Sequence, residues 1–408
     1  MAEKSSEAGA HTALRGSRTM LQIKGIHFQS GEPVVLKVTD EIIADIRAMP
    51  LSSLPKGEEK LPIVAPGLVD LQINGYNGLD LNLFPLEAER VHRIVRELWR
   101  EGVTTFFPTV TTNADERIEE AMRVITKVCR EDGTTAAAIA GIHLEGPFIS
   151  PEDGPRGAHQ KEYVKAPDWD LFRRWQEAAE GRIRIITLSP EWPGAARFIR
   201  NCTDSGVIVS IGHTAASPEQ IREAVAAGAT MSTHFGNGAH LTLPCHPNYL
   251  WEQLAQDRLW TALIADGFHL PESFIKVVLK MKAGRAILVS DAVHLSGMPP
   301  GTYFSHNRVR VVKTPEGKLH LADRPNLLAG SAQMLPWGIS HLVRTNICGL
   351  SEAWEMASVR PAALTNLPVR RGLSVGCPAD IVLFTRENEQ MRIVQTFKRG
   401  SLCFSALR

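Results

Sequence analysis

An α/β fold, a (β/α)₈ barrel of the TIM type with a small β-sandwich formed by both chain termini, is predicted by three features of this 408-residue chain. Eight apolar runs of strand length recur along it, most are separated by stretches long enough for a helix, and each ends near a polar residue able to do chemistry. Continuous apolar strands alternating with helices indicate a parallel sheet buried on both faces. Eight such units close a barrel whose C-terminal strand ends form the working face.

In order, the runs are Gly67 to Ile73, Val103 to Val110, Ala137 to Leu144, Ile183 to Leu188, Val207 to Ile211, Met231 to Phe235, Thr261 to Ala265 and Ala286 to Ser290. Most are rich in Val, Ile or Thr, as strands are. Their ends carry Gln72 and Asn74, Thr109, Glu145, Glu191, His213, His234, Asp266 with His269, and Asp291. Two segments lie outside this pattern. LQIKGIHF and PVVLKVTD fall between Leu21 and Val64, and ADIVLF, RIVQTFKRG and LCF between Ala379 and Phe404. Neither half buries enough apolar surface to stand alone. Together, residues 20–64 and 368–408 are expected to form the sandwich, leaving 65–367 to the barrel and 1–19 as a disordered tail. A hairpin from Gly301 to Ala322 and helices around Ser331 to Arg344 and Ser351 to Leu364 are predicted after the eighth run.

Composition bounds the function. With 45 Lys and Arg against 44 Asp and Glu, the net charge of +1 gives no global attraction to nucleic acid or to an acidic membrane surface. The cysteines Cys129, Cys202, Cys245, Cys348, Cys377 and Cys403 have no CxxC spacing and read as reduced thiols. No apolar leader opens the chain, and no stretch approaches the roughly 20 apolar residues that span a bilayer. A soluble cytoplasmic protein is expected.

The chemistry centres on His143-Leu144-Glu145-Gly146-Pro147, where Gly-Pro ends the strand and leaves the carboxylate at the barrel mouth. His213 ends the fifth run and His234 lies in the sixth. Two imidazoles and a carboxylate suit Zn²⁺, or Fe²⁺ as the second choice, with a position open for water. Asp291, emerging from the eighth run, is the candidate general base. A single strand-end His is more often structural, and a post-strand Asp is often a helix cap. The joint placement on one face favours the functional reading.

The strings PGLVDLQINGYNG (Pro66 to Gly78), HLEGPF (His143 to Phe148), GAH (Gly157 to His159), GHT (Gly212 to Thr214), THFGNG (Thr233 to Gly238), ADGFH (Ala265 to His269), SDA (Ser290 to Ala292) and LAGS (Leu328 to Ser331) occur in that order. In these the chain resembles the N-acetylglucosamine-6-phosphate deacetylases of the amidohydrolase superfamily. The resemblance implies a metal held by Glu145, His213 and His234, with Asp291 as catalytic acid and base and His159 polarising the carbonyl. It places Asn237, Gly238, His269 and Leu328, Ala329 and Gly330 around the sugar, with Gln72 orienting water or substrate. Many amidohydrolases carry His-x-His where this chain has Gln72-Ile73-Asn74, so one divalent ion per subunit is expected. The family also implies a homodimer.

One segment departs from the family. The usual arginine that grips the phosphate is absent after His234, and no Lys or Arg follows until Arg258. Either His240, His246, His294 or Arg156 substitutes, or the substrate lacks the 6-phosphate. An amidohydrolase for another cyclic amide or N-acyl amino acid, and a non-catalytic relative, are the other readings. The intact Glu145, His213, His234 and Asp291 set argues against the last.

Overall fold

The structure is a computed structural model that describes residues 20–50, 61–304, 309–387 and 390–407; the expected tail, 1–19, lies outside them. Four strands come first: β1 (Leu21–His27), β2 (Pro33–Thr39), β3 (Ile42–Ala48) and β4 (Ile63–Pro66). β5 (Leu68–Ile73) opens the barrel and is followed by a short pair, β6 (Gly75–Tyr76) and β7 (Leu79–Asp80). The barrel continues with β8 (Val103–Thr111), β9 (Ile142–Glu145), β10 (Ile183–Leu188) and β11 (Ile208–Ile211), then β12 (Met231–Ser232), β13 (Trp260–Leu263) and β14 (Ala286–Leu288). A three-stranded antiparallel sheet follows, β15 (Gly301–Phe304), β16 (Arg310–Lys313) and β17 (Leu319–Leu321), where a simple hairpin was expected. The chain ends in β18 (Ile381–Glu387), β19 (Gln390–Lys398) and β20 (Ser401–Ser405).

All ladders in the barrel are parallel, in the order β14-β13-β12-β11-β10-β9-β8-β5. It encloses an apolar floor, where Val69, Leu71, Phe107, Ile185, Met231 and Ile287 pack in one buried cluster. That packed floor forces any ligand to the strand ends. The outer shell is amphipathic. The helix Ala88–Arg100 buries Val91, Ile94, Val95, Leu98 and Trp99, which recur every three or four residues and so share one face.

Between β5 and β14 no ladder forms among the described residues. The seam is closed by a single bridge, Ile73 to Ala292, by Asp291 N donating to Gln72 O at 3.0 Å, and by a buried carboxylate, Asp70, that accepts from Ser290 N.

The terminal strands form one seven-stranded sheet, β20-β19-β18-β4-β1-β2-β3. It curls until its β3 edge meets the chain entering β18, where Ile43 N donates to Cys377 O and Gly376 N to Ile43 O, both within 2.9 Å. Ile23, Leu36, Ile43, Val64, Ile381 and Phe397 fill the core that the curl encloses. The sandwich of both termini is thus one continuous sheet wrapped on itself.

Two expectations need correction. The third run does not begin as a strand at Ala137, because Gly133–Ala138 is a helix. The Asp132 side chain accepts from Thr134 N and Thr135 N and starts it, and three alanines favour it. The helix expected from Ser351 to Leu364 is two, Leu350–Met356 and Val359–Leu364, broken at Ser358, whose φ and ψ of −140° and −85° are not helical.

Candidate active site

Every strand that carries a candidate ligand or base ends in a left-handed turn. β9 closes on Glu145 and passes to Gly146 at φ 80°, while His213, His234 and Asp291 themselves have φ of 49°, 24° and 46°. Left-handed backbone is costly for residues with a Cβ, and it concentrates where a site over-determines the chain. The turns also explain why β12 and β14 stop at Ser232 and Leu288, short of the sequence runs that predicted them.

Three donor atoms converge at the mouth. His234 Nε2 lies 3.1 Å from Glu145 Oε1 and 3.0 Å from His213 Nε2, and His213 Nε2 lies 3.4 Å from Glu145 Oε1. All three residues are buried, and their ligand atoms fall within 4.8 Å of one another. His213 Nδ1 donates to Pro155 O at 2.8 Å, which leaves the lone pair of the neutral ring on Nε2, facing the group. A four-coordinate ion with bonds of about 2.0–2.2 Å sets its donors about 3.3–3.5 Å apart, so the group is shaped for a divalent metal. Burial opposes ionisation of Glu145, but His213 and His234 outweigh it and hold the carboxyl well below its ordinary range. Gln72 Nε2 donates to Glu145 Oε1 at 2.7 Å, so the amide orients a ligand from behind.

His213 has no room to move. A Cβ on Gly238, at φ 58°, would stand 2.8 Å from its Nδ1, and one on Gly157 would stand 3.2 Å from its Cε1. Two backbones therefore press on the same ring. Glu191 braces the same loop, accepting from Ser150 Oγ, Ser189 Oγ and Ala215 N at 2.6 to 2.9 Å.

Asp291 stands on the other side of the site. Asn74 Nδ2 donates to its Oδ1 at 2.7 Å. Burial, and then the charge of Glu145, push its carboxyl up to about 7. His159 Nε2 lies 3.3 Å from His213 Nε2, and its Nδ1 is 2.8 Å from Thr112 Oγ1. Burial and the neighbouring His213 lower its pKa, which keeps the ring neutral.

The remaining expected residues sit as follows. Asn237 is tied back to His234 O through its backbone N–H and its amide, at 2.9 and 3.2 Å. His269 Nδ1 pairs with Asp266 Oδ2 at 2.7 Å. Leu328, Ala329 and Gly330 run beside the Asp291 turn: Ser331 bridges Ala292, and a Cβ on Gly330 would meet Val293 at 2.6 Å. Three of the four candidate phosphate groups are engaged elsewhere, and His246 is exposed. Arg156 donates to His159 O and pairs with Asp153, His240 lies between Glu152 and Tyr249, and His294 is 3.2 Å from Asp80. Asp70, Asn74 and Thr112 were not assigned from sequence. Of these, Asn74 was legible, since it shares the end of the first run with Gln72.

A (β/α)₈ barrel with a buried Glu/His/His group at its mouth defines a metal-dependent amide hydrolase, and the profile described as "Amidohydrolase family" matches residues 63–403. The chain is 31% identical over 347 residues to the N-acetylglucosamine-6-phosphate deacetylase of Bacillus subtilis, covering 84% of this chain and 85% of that one. It is 32% identical over 354 residues to the Bos taurus enzyme of the same name, covering 83% of each. Its fold matches that of a mutant N-acetyl-D-glucosamine-6-phosphate deacetylase from Mycobacterium smegmatis, solved with N-acetyl-D-glucosamine-6-phosphate. The TM-score is 0.81 at 25% identity, over 96% of this chain and 100% of that one. This chain belongs to the N-acetylglucosamine-6-phosphate deacetylase family of amidohydrolases.

Proposed function

We infer that this enzyme hydrolyses the acetamide of N-acetylglucosamine-6-phosphate to acetate and glucosamine-6-phosphate. The observation that carries the reading is the convergence of Glu145, His213 and His234 within 4.8 Å, in a chain about 31% identical to deacetylases of that sugar phosphate. Glu145, His213 and His234 would hold one divalent ion, Zn²⁺ first and Fe²⁺ second. A divalent ion bound there supplies Lewis acidity, polarising the acetamide carbonyl and making water nucleophilic at neutral pH. A single ion is the stoichiometry we favour, because Gln72 and Asn74 stand where many amidohydrolases carry a pair of histidines.

The protein's part is proton handling and orientation. Asn74 fixes Asp291 Oδ1, which leaves Oδ2 to take a proton from the attacking water and return it to the nitrogen of the leaving amine. The amine leaves only once protonated, so one carboxyl serves both steps. In the tautomer that carries its proton on Nε2, with Nδ1 facing Thr112 Oγ1, His159 can hydrogen-bond the carbonyl oxygen as charge develops. Asn237, Gly238, His269 and the Leu328 to Gly330 turn would hold the sugar.

A second reading, an unphosphorylated N-acetyl amino sugar, rests on one observation: residues 223–257 contain no Lys or Arg, and Arg156 is bound to His159 O and Asp153. Amine release from both sugars, measured side by side with zinc-loaded wild type and Asp291→Asn, tests the assignment. Activity confined to the phosphorylated sugar and abolished in the variant is expected. Turnover of the unphosphorylated sugar alone would move the assignment to the second reading, and turnover of neither would sink both.

No helix among the described residues is long and apolar enough to cross a membrane, and all six cysteines are unpaired. We place the enzyme in the cytoplasm as a homodimer, which light scattering of the purified protein checks.

A further inference from the structure

Asp70 is a charged residue with no exposure at all, in the middle of the first barrel strand. Its carboxylate accepts two backbone N–H groups. Gln72 N lies 3.2 Å from Oδ1, and Ser290 N lies 3.2 and 3.3 Å from Oδ1 and Oδ2. Burial pushes this carboxyl up to about 7, so the group is an expense to the fold that an apolar side chain would avoid. Its position suggests what offsets that cost.

The two residues that Asp70 holds adjoin the two halves of the site. Gln72 carries the amide that donates to Glu145, and Ser290 immediately precedes Asp291. Asp291 N in turn donates to Gln72 O at 3.0 Å. An ordinary parallel ladder at this seam would satisfy Ser290 N with a backbone carbonyl and carry the extended conformation on through residue 291. A carboxylate satisfies the same N–H without an extended partner. The chain is then free to turn left-handed at Asp291, at φ 46°, and to present the side chain to Asn74.

We propose that Asp70 is a positioning residue for the hydrolysis: by fixing Ser290 N and Gln72 N across the open seam, it holds Asp291 in the backbone conformation that places its carboxylate in the site. The proposal rests on the reading of Asp291 as the proton carrier. Asp70 itself touches neither the substrate nor the metal group.

A double-mutant cycle on the zinc-loaded, full-length enzyme tests this. Asp70→Asn is expected to lower kcat about 10- to 100-fold, with KM for N-acetylglucosamine-6-phosphate and zinc content within about twofold of wild type. Asp70→Glu keeps the charge but moves the carboxylate by one methylene, and the same loss is expected. If Asp70 acts through Asp291, Asp70→Asn combined with Asp291→Asn is no slower than Asp291→Asn alone. Three results would overturn the proposal: kcat of Asp70→Asn within twofold of wild type, a double variant slowed by the full Asp70→Asn factor, or failure of both Asp70 variants to fold. Retained activity in Asp291→Asn would instead remove the proton-carrier reading, and that single variant shows it without reference to Asp70.

Discussion

The two halves of the site are built on different principles. Glu145, His213 and His234 emerge from β9, β11 and β12, strands joined to their neighbours by ladders, and their donor atoms converge at 3.0 to 3.4 Å. Two imidazoles and a carboxylate so close suit a cation among them. Asp291 emerges at the β5–β14 junction, where no ladder forms among the described residues, and is fixed by neutral hydrogen bonds, from Asn74 Nδ2 and from its own N–H to Gln72 O. One half is therefore shaped to hold an ion, and the other is held by its backbone. The contrast predicts that metal binding and proton transfer can be removed separately.

The largest effect should come from the metal half. Glu145→Gln removes the charge that offsets a dication, so zinc content by mass spectrometry should fall to background and turnover by at least about 10⁴-fold. Stoichiometric zinc in that variant would break the contrast. Asp291→Asn should keep its zinc and lose about 10²- to 10⁴-fold in kcat, the usual range for a general acid or base. Loss of metal there would show that the halves are not independent.

Chelation should then destabilise wild type and Asp291→Asn alike, by about 4 kcal/mol when free zinc had stood at 1,000 times Kd. Equal melting shifts in the two proteins sharpen the contrast, and no shift in either would contradict a metal bound to the folded state. A further effect concerns pH. Burial first, then neighbouring charge, raises Asp70 and Asp291 from 3.8 to about 7. The folded chain thus binds more protons than the unfolded chain between pH 3.8 and about 7, and these two groups make stability fall as pH rises through that window. Urea midpoints of the chelated protein should show this fall, and Asp70→Asn should flatten it. A fall of undiminished size in Asp70→Asn would mean that its carboxyl is ionised throughout.

The barrel was legible because each strand is a short apolar run, and the grouping of the candidate ligands because strand ends in this fold face one mouth. Glu145, His213, His234 and Asp291 followed from that rule. What escaped was whatever depends on long-range partners. Asp70 reads as a polar interruption in an apolar strand, and only the fold brings Ser290, 220 residues away, to its carboxylate. The left-handed turns at His213, His234 and Asp291 were equally hidden, since none is a glycine and tertiary packing imposes them. The helix at Gly133 was missed for a local reason: alanines fit either period, and the Asp132 cap went unread. Gln72 was read as orienting water or substrate; the contact of its amide N–H with Glu145, set by the spacing of β5 and β9 around the barrel, was not foreseen.

The curled terminal sheet has a consequence for how the protein is made. β4 pairs with β18, Pro66 opposite Ile381, so one edge of β4 finds its neighbour only when the end of the chain emerges. About 300 residues separate them, which at about 5–20 residues per second is a wait on the order of 15–60 s on the ribosome. Throughout that interval Ile63, Val64 and Ala65 present an apolar strand with an open edge, the kind of surface that recruits other chains. Chains cut short before β18 would keep that edge for good, so a complete barrel without its last three strands should collect in the insoluble fraction.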